Sequence, residues 1–238
     1  MKSSIVFITA LLSISLISCQ KEAIVSNGQK LTLDGLASSS NKTVPVPKSI
    51  TIKDVSGNSY KVVTIGTQKW IASNLNTSKY RNGDPIPEVK DPVAWSKLTT
   101  GAWCYYNNDP ANASSYGKLY NWYAINDPRG VAPKGWHIPT TGDWTILTNF
   151  LGGVSLAGLN LKSTLFNGTN SSGFNALMGG YRNEFSSFLS FGQDGLWWSA
   201  TSVDPSYAWV RNMYKPFDRV GEDYGNKKCA LAVRCIKD

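Results

Sequence analysis

The sequence predicts an α+β fold of short antiparallel sheets with two helices and long irregular loops. Three observations lead there. From residue 49 onward, short runs alternate apolar and polar residues, the period-2 signature of half-buried strands. Only two stretches carry helical spacing. The segments between are rich in Gly, Asn and Ser, which gives them turn chemistry in place of periodicity.

The first elements are strands. Residues 49–53 alternate, and residues 60–65 continue after a Gly57-Asn58 turn, which predicts a hairpin. Residues 68–71 read as a third short strand and residues 102–106 as a fourth. Leu119, Trp122 and Tyr123 have i, i+3, i+4 spacing, so residues 117–126 read as a helix. The stretch KGWHIPTTGDWTIL, residues 134–147, holds the second helix. Pro139 keeps Ile138 extended, and Thr140 or Thr141 can cap the helix that begins there. Thr140-x-x-Asp143 has capping-box spacing, with Asp in place of Glu or Gln. Trp144, Leu147 and Leu151 then share one face. Late strands are expected at residues 196–200, 208–214 and 229–236. There is no internal repeat.

The chain's one histidine, His137, sits just before that cap. No second histidine offers a metal pair, and no Ser-x-Gly elbow lies nearby. Cys104 with His137 is a conceivable thiol pair, but no local pattern supports it. A hydrogen-bonded structural role is expected. Paired-carboxylate chemistry is also thinly provided. The four glutamates are Glu22, Glu88, Glu184 and Glu222, and only Glu184 with Asp194 makes a conceivable couple. The sequence therefore predicts no enzyme.

The first residues carry an address. Lys2 precedes an apolar run, residues 5–17, shorter than the about 20 residues a bilayer span needs. The run ends Leu16-Ile17-Ser18-Cys19, which resembles the lipobox of bacterial lipoproteins. That resemblance implies a signal peptide over residues 1–18, lipidation of Cys19 and an outer-membrane anchor, with the periplasmic or surface face left open. Acyl chains attach a protein without any spanning segment. Residues 19–48, with SNGQK, ASSSNK and VPVPK, read as a flexible tether, and residues 49–238 as the folded domain.

The net charge of +8 is spread along the chain without a Lys/Arg run. An exported protein without such a run is a poor nucleic-acid partner. Nine Trp, eleven Tyr and eight Phe, all but Phe7 between Tyr60 and Tyr224, mark an aromatic-rich core. So many N–H and O–H groups are hard to satisfy in a core, so some of these rings are expected outside it. With Cys19 lipidated, Cys104, Cys229 and Cys235 remain. Six residues apart in an extended run, Cys229 and Cys235 stand about 20 Å apart and cannot bridge. A disulfide must use Cys104, with Cys235 the favoured partner and Cys229 a buried thiol. Asp-Pro occurs five times, at Asp84, Asp91, Asp109, Asp127 and Asp204. These mark turns. Their carboxylates also suit calcium, though no EF-hand pattern is present, and no dedicated metal site or cofactor is expected.

The segment GGYRNEFSSFLSFGQDGLWWSATS concentrates Tyr181, Arg182, Asp194, Trp197 and Trp198. Aromatic faces beside planar polar groups suit sugar rings or a protein hot spot. Against this, adjacent tryptophans on a strand point to opposite sides, where one packs the core and the other a loop.

The ordered stretches DVSGNSYKVVTIGTQKWIASNL, GAWCYYNND, YGKLYNWYAIND, PKGWHIPTTGDWTIL, WWSATS and LAVRCIKD resemble the FISUMP domain, the fibrobacter major paralogous domain, from about Thr51 to Asp238. That resemblance implies an exported lipoprotein or surface protein, and assigns no molecular activity. A more distant resemblance is to the formylglycine-generating-enzyme fold and the C-type-lectin-like superfamily. It rests on Pro139, Thr140 and Trp144 opening a helix and on Ala232-Val233-Arg234-Cys235 near the end. It implies a C-type-lectin-like architecture. The generating enzyme's cysteine pair and the lectins' Glu-Pro-Asn and Trp-Asn-Asp motifs are missing, so neither chemistry carries over. The expected function is non-catalytic recognition of a glycan or protein outside the cell. The alternative is a structural subunit of a surface fibre or envelope assembly.

Overall fold

The computed structural model describes residues 50–238. The expected signal peptide, the lipidation site Cys19 and the tether lie outside the described residues. The described chain is α+β and mostly sheet.

The expected hairpin forms from β1 (Thr51–Lys53) and β2 (Ser59–Ile65). Asp54 organises its turn. The carboxylate accepts from Asn58 N–H at 3.0 Å, the Asn58 amide at 2.8 Å and Tyr60 O–H at 2.6 Å. Gly57 takes the left-handed φ the turn requires. β3 (Gln68–Ile71) comes next through a Gly66-Thr67 turn and pairs with β2. Beyond it lie α1 (Pro92–Ser96), β4 (Trp103–Cys104) and α2 (Ala113–Tyr116).

The helix expected over residues 117–126 is not continuous. It splits into β5 (Leu119–Tyr120), paired with β4, and α3 (Trp122–Ile125). Asn121 divides them, because its side chain accepts from Ala102 N–H and Ala124 N–H and so caps α3. Leu119 and Trp122 still face inward, which is why the spacing mimicked a helix.

β6 (Trp136–His137) leads into α4 (Thr141–Phe150). The capping box is present in full. Thr140 accepts from Asp143 N–H, and Asp143 accepts from Thr140 N–H at 2.8 Å and its hydroxyl at 2.6 Å. Trp144 and Leu147 are buried beneath the helix as its spacing predicts. α5 (Ala157–Leu161), β7 (Tyr181–Arg182), β8 (Phe188–Leu189), β9 (Asp194–Ser202), β10 (Tyr207–Tyr214), β11 (Gly221–Asn226) and β12 (Ile236–Lys237) complete the chain. Five helices thus replace the two expected among the described residues, and four are only one turn or so long.

The largest sheet has the order β1-β2-β3-β12-β6, so the last strand is slotted between early ones, with Ile236 opposite both Trp70 and His137. A second sheet, β11-β10-β9, is antiparallel throughout. The long strand expected at residues 229–236 is mostly single bridges, Ala230 to Arg182, Leu231 to Tyr120 and Ala232 to Trp197. It acts as a seam touching three elements in turn.

Eight of the nine tryptophans are buried. Six of their indole N–H groups find acceptors, among them Trp95 to Lys228 O, Trp103 to Ile86 O and Trp198 to Tyr120 O. The exposed aromatics are instead tyrosines and phenylalanines such as Tyr224 and Phe185.

Several cations are also inside. Arg234 is fully buried, and burial alone holds its pKa below the usual arginine value. It donates to Asn74 Oδ1 at 2.8 Å and to the carbonyls of Ile71, Phe174 and Asn175 at 2.8–3.0 Å, and it stacks on Phe174. Lys162 donates to Lys215 O and Phe217 O, and Lys227 to Asp204 O. Part of the basic charge therefore pins loops by their carbonyls.

Cys104, Cys229 and Cys235 are all buried free thiols, so the expected Cys104–Cys235 disulfide is not formed. The two sit in separate core clusters, Cys104 with Trp95 and Trp197 and Cys235 with Tyr120 and Trp198.

Candidate functional site

The site is built on one face of the β9–β10–β11 sheet. Alternation sends Asp194, Leu196 and Trp198 to one side of β9 and Trp197 to the other. Register then fixes their neighbours. Asp194 opposes Tyr214, Leu196 opposes Asn212 and Trp198 opposes Val210, which in turn opposes Asp223 on β11. Trp198 lies fully buried beneath this face. Gly225 completes the floor. A Cβ there would stand 3.3 Å from Val210 and 3.4 Å from Trp198, so glycine keeps the depression open.

The β7–β8 hairpin supplies the facing wall. Its turn is shaped by Asn183, whose side chain accepts from Phe185 N–H at 3.1 Å and Ser187 N–H at 2.8 Å. This presents Tyr181, Glu184 and the exposed Phe185 to the sheet. Tyr207 and Tyr224 meet edge to face at 5.6 Å between centroids on the rim. The cleft, open to solvent along one side, measures about 430 Å³, within the range of small-ligand sites.

Its chemistry is one-sided. The charged residues lining it are Glu184, Asp194 and Asp223, and no Lys, Arg or His among the described residues joins them, although the whole chain carries +8. Arg211 alternates to the back of β10, where it pairs with Glu222. Burial raises the Tyr181 and Tyr214 phenols above their ordinary value. The neighbouring Cys229, Asp194 and Glu184 add to this at Tyr181, and Asp194 and Asp223 add to it at Tyr214 against the opposing pull of Arg219. Both phenols stay protonated at neutral pH. Cys229 also lines the cleft, donating Sγ–H to Glu184 Oε2 at 3.3 Å. Burial pushes its thiol up to about 12, so it is held as the protonated thiol at neutral pH.

Of the five residues singled out by sequence, the structure brings Tyr181 and Asp194 into this cleft. The other three need correction. Arg182 is 1% exposed. It donates to Val89 O at 2.8 Å and Lys90 O at 3.0 Å and stacks on Trp95. Trp197 and Trp198 are both 0% exposed. They point to opposite sides as alternation demands, but each side is core, and Trp197 spends its indole N–H on the buried loop residue Asn74. The missed residues are Tyr207, Asn212, Tyr214, Asp223 and Tyr224. Alternation in YAWVRNMY does set Asn212 and Tyr214 on one face, but the facing of that side was visible only once β9 was paired.

His137 has a carboxylate partner at each ring nitrogen. Its Nδ1 meets Asp238 Oδ1 at 2.7 Å and its Nε2 meets Asp143 Oδ2 at 3.4 Å, tying β6 to the chain end and the capping box. The Asp-Pro carboxylates form turns. Asp91, Asp109, Asp127 and Asp204 each accept from a backbone N–H two or three residues on, and Asp84 pairs with Arg129. Among the described residues, no group of three or more His, Cys, Asp or Glu side chains could hold a metal, and no helix is long and apolar enough to cross a membrane.

Residues 63–237 match the family model of the Fibrobacter succinogenes major domain, a span holding the whole cleft. The chain belongs to that family. No curated protein and no solved structure matches it. Membership of the Fibrobacter succinogenes major domain family suggests a surface protein, and the match covers every described element except β1 and the start of β2.

Proposed function

We propose that this Fibrobacter succinogenes major domain is a non-catalytic recognition module that binds a glycan in the cleft between the β9–β11 sheet and the β7–β8 hairpin. The observation that carries the reading is the lining. Four tyrosines and one phenylalanine surround three carboxylates and Asn212 in one concave site. Aromatic faces take up the apolar faces of sugar rings, and carboxylate and amide oxygens take hydroxyl hydrogens. The reading includes lipid attachment through Cys19 at the outer membrane, with the tether presenting the domain. It also includes a C-type-lectin-like architecture, supported by Pro139 and Thr140 opening α4 over buried Trp144.

The test is a glycan-array screen of the chain from residue 19, carrying Cys19→Ser to remove the lipid, with calcium and again with chelator. Reproducible binding that is lost in Tyr214→Ala, without hydrolysis of the bound sugar, is the expected result. A folded protein that binds nothing overturns the glycan reading.

The second reading, a structural subunit of a surface assembly, has its own observation. Ile146, Phe150, Val154, Leu156 and Leu165, on α4 and flanking α5, are exposed apolar side chains. It requires the soluble chain to self-associate, which sedimentation measures directly.

A further inference from the structure

We infer that the cleft selects a sugar bearing a free amine. This preference rests on the glycan reading and specifies the class of sugar. Its first support is the inventory of charge. Glu184, Asp194 and Asp223 line the cleft, and no cation among the described residues shares it. The guanidinium on β10, Arg211, faces the back of the sheet against Glu222. Arg219 acts on Tyr214 only from outside the lining, a neutral sugar brings these carboxylates no counter-charge, and a protonated amine brings one into the cleft.

The second support is independent of charge. Asn212 is 5% exposed, lines the cleft, and its Oδ1 has no hydrogen-bond partner. Buried acceptors in folded proteins are almost always satisfied; this oxygen lies against Gly221 on β11, and a turn of the amide toward the cleft brings it to a ligand's donor. Carboxylates and the Asn212 oxygen together form a set of acceptors, and an ammonium group offers three donors and no acceptor. Tyr214, opposite Asp194, adds an aromatic face beside the same charge.

The experiment is a calorimetric titration of the Cys19→Ser chain with glucosamine oligomers, their N-acetylated counterparts and neutral gluco-oligomers of equal length. The buffer is mildly acidic so that the amine is protonated. The amine-bearing oligomer is expected to bind about tenfold tighter than either of the others, with that advantage shrinking as salt rises. Asp194→Asn should shrink the ratio of amine-bearing to neutral affinity toward one, and an unchanged ratio overturns the preference. Equal affinity for all three oligomers overturns the amine preference and leaves the glycan reading intact. Binding of none overturns both. A lysine-rich peptide binding in the cleft while no amino sugar does overturns the sugar assignment in favour of a protein partner.

Discussion

Asp194 and Tyr214 oppose each other directly across the β9–β10 ladder. Cross-strand partners have Cβ atoms about 5 Å apart, so a carboxylate and a phenol share one patch of the cleft floor. Exchanging Tyr214 for Phe keeps the ring and removes the hydroxyl. Ligand affinity should fall less than tenfold in Tyr214→Phe and about a hundredfold in Tyr214→Ala, read by titration against the same oligosaccharide. Equal losses would place the hydroxyl, not the face, at the centre of recognition.

Gly225 offers a way to close the cleft without touching its polar groups. A valine there meets Val210 and Trp198 at once. Gly225→Val is expected to abolish binding and to cost about 1–2 kcal/mol in urea denaturation. Retained binding would move the ligand site away from this sheet.

Asn74 holds two buried donors with a single oxygen, Arg234 Nε at 2.8 Å and Trp197 Nε1 at 2.9 Å. Asn74→Leu leaves both without an acceptor. At about 1–3 kcal/mol for each orphaned donor, stability should fall by about 3 kcal/mol or more, the largest loss among single polar substitutions here. Equilibrium unfolding reads it.

Alkaline pH should unfold the domain in a set window. Burial pushes the Cys104 and Cys229 thiols up to about 12, and it raises Tyr60 and Tyr120 strongly. A raised pKa means that the folded state keeps its proton longer than the unfolded one. The stabilisation is complete below the ordinary thiol value of 9.0 and is lost as pH climbs toward 12. Urea midpoints measured at rising pH should be flat to pH 9.0 and then drop. In the same native protein, a thiol reagent should react with these cysteines only on unfolding.

Acid acts through the capping box. Burial works to raise Asp143, but hydrogen bonds from Thr140 and the contact with His137 outweigh it and leave its pKa below the ordinary 3.8. That contribution is present above pH 3.8 and fades as pH falls through the lower folded value. Thr140→Ala, which removes the cap, should cost about 1 kcal/mol at neutral pH and make the acid limb of the stability curve shallower.

Local signals carried much of the fold. The Gly57 hairpin, the Thr140 cap and strands β9 and β10 were legible because turn chemistry, capping spacing and alternation act within a few residues. The failures lie where one residue's partner is far away. Asn121 breaks the expected helix by accepting from Ala102, and residues 229–235 abandon the ladder to touch three elements. The cleft was half legible. Tyr181 and Asp194 fell in a segment flagged by composition, but Trp197 and Trp198 drew attention for size, and size here means core. β11, with Asp223 and Tyr224, reads GEDYGN and looks like loop, because an exposed edge strand has no apolar face to announce it.

The placement of β12 between β3 and β6 has a bearing on when the domain can fold. Trp70 waits for Ile236 before its sheet is continuous, and Arg234, two residues earlier, must arrive before Asn74 and Phe174 are joined. Contacts between such distant parts of a chain form late and slowly. Synthesis of the first two hundred or so residues therefore yields no finished product. The domain is assembled in one closing act, like a clasp whose tongue is made last.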